Sequence, residues 1–324
     1  MADLSDFAPG PLPRDARVYV AGHRGLVGSA VWRNLEREGF TNLVGRSSSE
    51  LDLRDRAEVD GFFEHERPDV VIDAAAKVGG IVANSTYPAD FLSDNLRIQT
   101  NILDAAARTG TTRLLFLGSS CIYPRLADQP ISEDSLLTGA LEPTNDAYAI
   151  AKIAGIIHVQ ALRRQFGVHY ISAMPTNLYG PGDNFHPKNS HVIPGMVRRF
   201  HEARVSGAPT VTCWGSGRPL REFLFVDDLA SACLFLLENY DGPETVNVGV
   251  GDDLSIRDLA STVAAVVGYE GSIEWDSSKP DGTPRKLLDV SRINSLGWSA
   301  STGLSDGLTA MYEWYLAHLD EARG

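Results

Sequence analysis

The stretch that decides the fold is Arg17-Val18-Tyr19-Val20-Ala21-Gly22-His23-Arg24-Gly25-Leu26-Val27-Gly28. Its first five residues form a short apolar run typical of a buried strand, and an amphipathic run follows over residues 29–38. A strand, a glycine-rich turn and a helix are together the context of a dinucleotide-binding turn. We expect Gly22 to permit the tight turn, Gly25 to let a pyrophosphate reach the backbone N–H groups, and Gly28 to allow close contact between helix and sheet. The turn is therefore predicted to bind a dinucleotide through Gly22, His23, Arg24, Gly25, Leu26, Val27 and Gly28.

The residues after the second strand bear on which dinucleotide binds. A strand over residues 42–44 leads into Gly45-Arg46-Ser47-Ser48-Ser49, where an NAD site usually offers an acidic residue to the ribose hydroxyls. A 2′-phosphate needs a cation instead, and Arg24 and Arg46 are placed to supply it. The sequence therefore predicts NADP(H), with Asp52 close to the adenine. Use of NADH as well stays open, because the three serines add no further positive charge.

Strands and helices alternate along the amino-terminal half of the chain. Apolar strands are predicted over residues 68–76 and 113–117, and helices over 87–108 and from 148 to about 164. Such alternation implies right-handed βαβ units and a parallel sheet. We predict an α/β fold with a Rossmann-type doubly wound parallel sheet over residues 17–180, to which 222–250 return. A smaller C-terminal α/β domain over 181–324 is expected to be mainly substrate-binding. Residues 1–16 are expected to form a flexible tail.

The composition argues against several classes of function. A net charge of -13 over 324 residues speaks against nucleic acid and anionic membrane as partners, because both are bound mainly through Lys and Arg. No apolar run approaches the ~20 residues of a membrane-spanning helix. Cys121, Cys213 and Cys233 are scattered and odd in number, which indicates neither a disulfide framework nor a metal site. We expect a cytoplasmic protein in which Cys213 and Cys233 are packing residues.

A tyrosine and a lysine stand four residues apart at the start of the predicted helix near residue 148. On a helix, Tyr148 and Lys152 share one face. A nearby cation favours an ionised phenol, so we expect Lys152 to lower the pKa of Tyr148 and to fit it for proton transfer at a carbonyl oxygen. The preceding strand ends in Gly118-Ser119-Ser120-Cys121, and ligands of parallel sheets bind beyond the carboxyl ends of strands. These residues are therefore expected beside Tyr148.

Several blocks of residues together resemble a known family. The glycine turn, Gly118-Ser119-Ser120, the Tyr148 and Lys152 pair and Pro175-Thr176-Asn177-Leu178-Tyr179-Gly180-Pro181 are similar to the extended short-chain dehydrogenase/reductases that act on nucleotide sugars. The chain more narrowly resembles the GDP-L-fucose synthases in the blocks Gly22-His23-Arg24-Gly25, Ser119-Ser120-Cys121-Ile122-Tyr123-Pro124, Asp183-Asn184-Phe185-His186-Pro187, Asn189-Ser190-His191-Val192-Ile193-Pro194, Trp214-Gly215-Ser216-Gly217, Arg221-Glu222-Phe223 and Lys279-Pro280-Asp281-Gly282-Thr283-Pro284-Arg285-Lys286. The resemblance covers nearly the whole chain.

The resemblance implies an NADPH-dependent 3,5-epimerase/4-reductase that acts on GDP-4-keto-6-deoxy-D-mannose. It assigns the reduction at C4 to Ser119, Tyr148 and Lys152, with Lys152 also at the nicotinamide ribose. Epimerisation at C3 and C5 needs a base and an acid beside the C4 carbonyl, and the resemblance gives these roles to Cys121 and His191. We expect Cys121 to act as the base and His191 as the acid, with the order at each carbon left open.

The same resemblance predicts the binding residues. It implies further cofactor contacts for Leu117, Gly118, Ser119, Ser120, Lys152, Pro175, Thr176, Asn177, Leu178 and His191. It implies substrate contacts for Arg199, Trp214, Arg221 and Asp281, of which Arg221 is the strongest candidate for a phosphate. His186 lies close to His191 in sequence and is its rival for the catalytic role.

The resemblance also bears on assembly. Members of this family usually pair through two long helices, which implies a homodimer with a four-helix bundle built from residues 87–108 and 148–164 of each copy. Two other functions stay open: a plain nucleotide-sugar 4-reductase or 4-epimerase without chemistry at C3 and C5, and a nonenzymatic NADP-sensing regulator on the same fold. Cys121 and His191 argue against the first, and the proton-transfer residues argue against the second.

Overall fold

A computed structural model describes residues 8–187, 190–279 and 281–319. Residues 1–7 of the expected tail, and Asn189 and Pro280 from the family-like blocks, lie outside the described residues. No helix among the residues described is long and apolar enough to cross a membrane.

The strands follow one another in the order β1 Val18–Ala21, β2 Leu43–Val44, β3 Val70–Asp73, β4 Arg113–Leu117, β5 His169–Pro175, β6 Asn177–Tyr179, β7 Thr210–Trp214, β8 Leu220–Arg221, β9 Phe223–Phe225, β10 Val246–Val248, β11 Leu254–Ser255, β12 Ser272–Asp276 and β13 Arg285–Lys286.

The α-helices are α1 Leu26–Arg37, α2 Arg56–Glu66, α3 Ile81–Thr86, α4 Pro88–Thr109, α5 Asp146–Phe166, α6 Val192–Ser206, α7 Val226–Asn239, α8 Ile256–Val267, α9 Ser291–Leu296 and α10 Leu304–Ala317. Two short 3₁₀ helices cover Ser120–Ile122 and Glu133–Ser135.

The main sheet has six strands in the order β10-β5-β4-β3-β1-β2, and all of its neighbouring pairs are parallel. The helices α2, α4 and α5 pack side by side in one layer, and α1 packs against α7. The chain turns from β1 towards one edge of the sheet and from β3 towards the other, so the strand order reverses at β1 and β3. A crevice for ligands forms beyond the carboxyl ends of strands at such a reversal. The prediction of a Rossmann-type parallel sheet is confirmed.

Two hydrophobic clusters hold the chain together. The larger one contains the strands of the main sheet and the inner faces of its helices, including Val20, Ile72 and Leu115. The smaller one is formed by residues from Tyr179 to Tyr315, including Phe200 of α6. Strand β10 joins the main sheet, as the predicted return of residues 222–250 requires.

The structure differs from the expected boundaries in two places. Residues 289–298 were expected in the smaller domain, but Val290, Ile293 and Trp298 are buried in the larger cluster because α9 packs against β10. Residues 12–16 were expected in a loose tail, but Arg14 forms an ion pair with Glu238 and its guanidinium lies 4.6 Å from the centroid of Phe40. These contacts fix the segment that enters β1.

Helix ends account for most of the smaller differences. Helix α1 begins at Leu26, three residues before the predicted start, because Gly25 already has the extended backbone of an N-cap residue. Helix α5 ends at Phe166, and its C-cap residue Gly167 has a φ of 68°, in the left-handed region that glycine favours. Basic residues Arg163 and Arg164 occupy its last turn, where they complement the helix dipole.

Candidate active site

The glycine turn after β1 has the geometry of an anion-binding helix start. Gly22 has a φ of +78°, and a Cβ on Gly28 would lie 2.1 Å from the Gly22 carbonyl oxygen. The N-cap residue Gly25 makes no side-chain capping bond, and the first turn of α1 holds no acidic residue. The first N–H groups of this 12-residue helix are therefore open to a pyrophosphate.

His23 has a packing role within this turn. Its ring lies 5.4 Å from that of Trp32, and a Cβ on Gly45 would lie 2.6 Å from its Cγ atom. Burial and the charge of Arg24 lower the pKa of His23, so its imidazole is neutral at pH 7. The His23 ring thus joins the turn after β1 to the end of β2.

The two predicted cations for a 2′-phosphate differ in whether their guanidinium groups are already hydrogen-bonded. The Arg46 guanidinium donates to Glu66 Oε1 at 2.7 Å and to the Gly45 carbonyl at 2.9 Å. The exposed Arg24 guanidinium makes no hydrogen bond or ion pair with the described part of the chain. Arg24 is therefore the cation that is free to meet a phosphate, whereas Arg46 would have to share its charge with Glu66.

Two acidic groups near the same edge are already engaged. The Glu50 carboxylate accepts from the Ser47 N–H at 2.8 Å and the Ser47 hydroxyl at 2.6 Å. The Asp52 carboxylate accepts from Arg54, which holds the pKa of Asp52 well below its usual value. The expected contact between Asp52 and an adenine would therefore use a carboxylate that is already paired.

The end of β4 brings a serine and a cysteine to the sheet edge. Ser119 caps the 3₁₀ helix that follows, and its Oγ accepts from the Cys121 N–H at 3.4 Å. A Cβ on Gly118 would lie 2.4 Å from the Met174 sulfur, so a larger residue here would displace the Met174 side chain. Pro175 is the last residue of β5, and Thr176 and Asn177 follow it at the carboxyl end of that strand.

Helix α5 carries Tyr148 and Lys152 to this edge. The Lys152 side chain is only 3% exposed, and its Nζ donates to the Leu117 carbonyl at 2.8 Å. The Tyr148 ring packs edge-on against that of Phe91 in α4, with ring centroids 6.5 Å apart. The structure therefore brings Ser119, Cys121, Tyr148 and Lys152 together.

The expected direction of the Tyr148 pKa shift is wrong. Burial raises the pKa of Tyr148, and any negative charge on Cys121 raises it further. The Lys152 ammonium is instead held against the Leu117 carbonyl, and burial lowers the pKa of Lys152. Tyr148 is therefore a protonated phenol at neutral pH.

Lys286 is a cation near the cysteine that the sequence did not single out. Burial raises the pKa of the Cys121 thiol, and Lys286 is the strongest of the groups that oppose this rise. Lys286 lies opposite Arg221 in the β8–β13 pair, and its side chain makes no hydrogen bond or ion pair with the described residues. Burial lowers the pKa of Lys286, and the negative charge of a Cys121 thiolate opposes this fall. The only sequence signal for it was its place at the end of the last family-like block.

His191 stands at the N-cap of α6, beyond the loop that follows β6. His191 is an exposed residue, yet desolvation of its ring lowers the pKa of His191 and favours the neutral imidazole. No hydrogen bond among the described residues joins its imidazole to the four residues at the ends of β4 and α5. The rival His186 donates its N–H to the Asn184 side chain at 2.9 Å, and its carbonyl accepts from the Ser190 N–H at 3.2 Å.

The four predicted substrate residues lie around one face of the smaller cluster. The Trp214 side chain is 66% exposed at the end of β7, and Arg199 donates to the Thr212 carbonyl in the same strand at 3.1 Å. A Cβ on Gly282 would lie 3.7 Å from Arg221 Nη2, so this guanidinium faces the loop that holds Asp281. The structure therefore brings these residues to one region.

Asp281 makes hydrogen bonds within the protein that the sequence did not predict. Its carboxylate accepts from the Ser216 N–H at 2.6 Å and from the Ser216 hydroxyl at 2.7 Å. These bonds tie the loop after β12 to the turn after Trp214. Asp281 therefore positions the neighbouring loops, and a direct substrate contact would have to compete with Ser216.

Comparison with known proteins shows what the chain is similar to. Residues 18–249 match the family model described as the NAD dependent epimerase/dehydratase family. The chain is 60% identical to GDP-L-fucose synthase 1 of Arabidopsis thaliana over 94% of its length and 95% of that protein's. It is 56% identical to GDP-L-fucose synthase of Escherichia coli (strain K12), over 95% and 99% of the two lengths. A solved GDP-L-fucose synthetase from Naegleria fowleri bound to NADP superimposes with a TM-score of 0.91 at 31% identity, over 99% of this chain and 98% of that one.

Proposed function

The chain belongs to the NAD dependent epimerase/dehydratase family, and we infer that within it this enzyme converts GDP-4-keto-6-deoxy-D-mannose to GDP-L-fucose with NADPH. The reaction is an epimerisation at C3 and C5 followed by reduction at C4. The observation that carries this inference is the meeting of Cys121 with Ser119, Tyr148 and Lys152 at the end of β4. A reductase needs the last three, and the thiol adds a group for chemistry at carbon.

The chain's own residues support binding of NADP(H). The glycine turn and the open start of α1 fit the pyrophosphate, and the free guanidinium of Arg24 fits a 2′-phosphate. Lys152, Leu117 and Gly118 lie where the nicotinamide half would meet the sheet edge. NADPH supplies the hydride for C4 when it is bound. The proposal includes the other predicted contacts with NADP(H), among them Asp52, Leu178 and His191.

Reduction at C4 needs a proton for the oxygen. Tyr148 is the proposed donor, because its raised pKa keeps the phenol protonated at neutral pH. Lys152, fixed by the Leu117 carbonyl, provides the positive charge near the phenolate that forms. Ser119 is the proposed second hydrogen-bond donor to the same oxygen, since its Oγ points towards the Cys121 backbone at the sheet edge.

Epimerisation needs a proton to leave one face of C3 or C5 and another to arrive on the opposite face. The C4 carbonyl accepts the electron pair as an enolate, which Tyr148 and Ser119 can stabilise by hydrogen bonds. Cys121 is the proposed base and His191 the proposed acid. Without substrate, the raised pKa of Cys121 favours the thiol and the lowered pKa of His191 favours the neutral imidazole. In this state the one proton available for the acid–base pair is on the Cys121 sulfur. The active thiolate and imidazolium form when the thiol releases its proton to water and the imidazole takes one from water, and Lys286 favours the thiolate.

The substrate's diphosphate and guanine need cations and a packing surface. We propose that Arg221 and Arg199 contact the diphosphate and that the exposed Trp214 ring packs against the base or sugar. Asp281 is proposed to act mainly by holding the loop against Ser216. This places the sugar between the smaller cluster and the end of β4.

The assay uses purified protein with GDP-4-keto-6-deoxy-D-mannose and NADPH in D₂O, with absorbance for the cofactor and NMR for the product. We expect GDP-L-fucose with deuterium at C3 and C5. A D-sugar product without deuterium at C3 would mean a plain 4-reductase and would remove the roles given to Cys121 and His191. No oxidation of NADPH would favour an NADP-sensing protein.

Variants test the assignment of base and acid. Cys121→Ala should lose both deuterium exchange and inversion at C3. His191→Asn should retain exchange, because the base still removes and returns a proton, but it should lose inversion. His186→Asn is the matched control at the rival histidine and should retain both. The opposite pattern in the first two variants would reverse the roles.

We also propose the domain division given by the sequence, with residues 12–16 and 289–298 moved to the larger domain, a cytoplasmic location and a homodimer through α4 and α5. The exposed apolar residues Ile150 and Ile157 lie seven positions apart on α5, which puts them on one face of the helix. The three free cysteines are compatible with a reducing compartment. Light scattering of the protein and of Ile157→Asp tests the dimer, which the charge should dissociate.

A further inference from the structure

Asp73 is a buried acid that the mechanism above does not use. It is the last residue of β3, and its side chain is 0% exposed. One carboxylate oxygen accepts from the Ala75 N–H at 3.2 Å, and the other has no hydrogen-bond partner among the residues described. A buried carboxylate is costly unless a cation or hydrogen-bond donors compensate it. The Asp73 carboxylate therefore needs a nearby cation or a further hydrogen-bond donor.

The strand register places Asp73 on the same face of the sheet as Lys152. Asp73 lies directly opposite Phe116 in the parallel β3–β4 pair, and side chains paired in this way point to one face. The Phe116 ring faces α5, since its centroid is 4.8 Å from Lys152 Nζ and a Cβ on Gly155 would lie 2.3 Å from the ring. Asp73 is thus one strand away from the residue beneath the Lys152 ammonium.

Among the groups around Asp73 and Lys152 that are described below, Lys152 is the cation that can balance the Asp73 carboxylate. From β1, Tyr19 brings a buried phenol, and from α4, Gln99 donates its amide to the Ala151 carbonyl at 2.6 Å. The Cys121 thiol approaches Lys152 from the 3₁₀ helix. Burial raises the pKa of Asp73 to about 6, and Lys152 limits the rise. Burial lowers the pKa of Lys152, and Asp73 is the stronger of the two acids that oppose this fall.

We propose that Asp73 is a positioning residue whose carboxylate is the buried counter-ion of Lys152 and keeps that side chain an ammonium over the working pH range. The proposal rests on the proposed function, because it assumes that Lys152 serves the reduction at C4. Asp73 touches neither substrate nor cofactor in this account. It acts through Lys152, because without the carboxylate the Lys152 ammonium loses its proton at a lower pH.

The test is the pH profile of kcat for NADPH oxidation in Asp73→Asn. Loss of the carboxylate lowers the pKa of Lys152, so the alkaline limb of the profile should move down by about one pH unit. The matched control is Asp69→Asn, which removes a carboxylate from the residue just before β3, at the amino-terminal end of the strand and away from Asp73. Its alkaline limb should stay in place. An unmoved limb in Asp73→Asn overturns the proposal.

Thermal unfolding separates this role from a structural one. Because the folded-state pKa of Asp73 is raised, its stabilising contribution is present at low pH and is lost as the pH rises through about 6. Asp73→Asn should therefore be at least as stable as the parent protein at pH 8 while its rate profile changes. A large fall in melting temperature with an unmoved pH limb would mean that Asp73 is only structural.

A second variant keeps the proposal testable if Asp73→Asn does not fold. Lys152→Met removes the cation and raises the pKa of Asp73 further, so this variant should lose more stability than the parent between pH 6 and pH 8. Equal losses would overturn the electrostatic coupling between Asp73 and Lys152. This measurement needs no substrate, so it decides the proposal even if the product assay shows that the enzyme makes a sugar other than GDP-L-fucose.

Discussion

The Nζ atom of Lys152 donates a hydrogen bond to the backbone carbonyl of Leu117 at 2.8 Å. The bond joins the second turn of α5 to the last residue of β4, and both residues are buried. A buried ammonium must have acceptors, and this one takes its acceptor from the backbone of the strand itself. The sheet therefore fixes the catalytic lysine, independently of any ligand.

Tyr148→Phe removes the proposed proton donor and keeps the ring that contacts Phe91. We expect kcat for NADPH oxidation to fall by about 100- to 10,000-fold, the usual contribution of general acid catalysis. Slow deuterium exchange at C3 should remain, because Cys121 still acts as the base. Steady-state kinetics and NMR check this, with Tyr87→Phe on an exposed phenol as the control. A rate within threefold of the parent would contradict the assignment.

Gly28→Ala should disturb the dinucleotide turn. The added Cβ would lie 2.1 Å from the Gly22 carbonyl oxygen, so the backbone must shift. We expect a loss of about 1–3 kcal/mol in the free energy of unfolding and a Kd for NADPH at least tenfold higher. Gly61→Ala in α2 is the control, because nothing lies within 4 Å of its Cβ position. That helix interior should gain about 0.5–1 kcal/mol. Equal effects of the two substitutions would refute the close-approach argument.

Arg24→Gln should reduce the preference for NADPH over NADH. A lost charge-assisted bond is worth about 1.5–3 kcal/mol, so KM for NADPH should rise by about 10- to 100-fold while KM for NADH changes little. Arg46→Gln should have a smaller effect, because Arg46 already shares its charge with Glu66. Parallel kinetics with both cofactors check this. An equal rise for NADPH and NADH in Arg24→Gln would place Arg24 away from the 2′-phosphate.

Lys286→Met should slow epimerisation through the cysteine. Lys286 lowers the pKa of Cys121, so its removal raises that pKa and reduces the thiolate fraction at pH 7. We expect deuterium exchange at C3 to be about tenfold slower at pH 7 and to recover as the pH rises. Arg285→Met is the control from the same strand, where Arg285 pairs with Asp253. A loss of exchange that is the same at every pH would contradict an electrostatic role.

Asp183→Asn should stabilise the protein at high pH. Burial raises the pKa of Asp183 to about 7, and one of its carboxylate oxygens has no hydrogen-bond partner among the described residues. A raised folded-state pKa means that its contribution to stability is present below the unfolded value and is lost as the pH rises through about 7. The free energy of unfolding of the variant, relative to that of the parent, should therefore rise by about 2–4 kcal/mol as the pH goes from 4 to 8. Denaturant titrations at both pH values check this, and a gain that does not depend on pH would exclude titration of Asp183.

Much of the fold was predictable because its signals are local. The strand Arg113–Leu117 has its predicted bounds, and α4 runs from Pro88 to Thr109 against a prediction of 87–108. Apolar periodicity and glycine turns act over a few residues, so they are readable without the tertiary structure. The boundaries of α1 and β3 were less accurate, because a cap residue and the edge of strand pairing decide them.

By itself, the sequence determined the parallel α/β sheet, the dinucleotide turn and the spacing that puts Tyr148 and Lys152 on one helix face. These follow from short-range sterics and hydrophobic periodicity. Only the tertiary structure decided that the pKa of Tyr148 rises, that Lys286 lies near Cys121, and that Asp73 is buried on the face of Lys152. Desolvation and Coulomb interactions depend on which distant segments meet in space, and no local pattern records that.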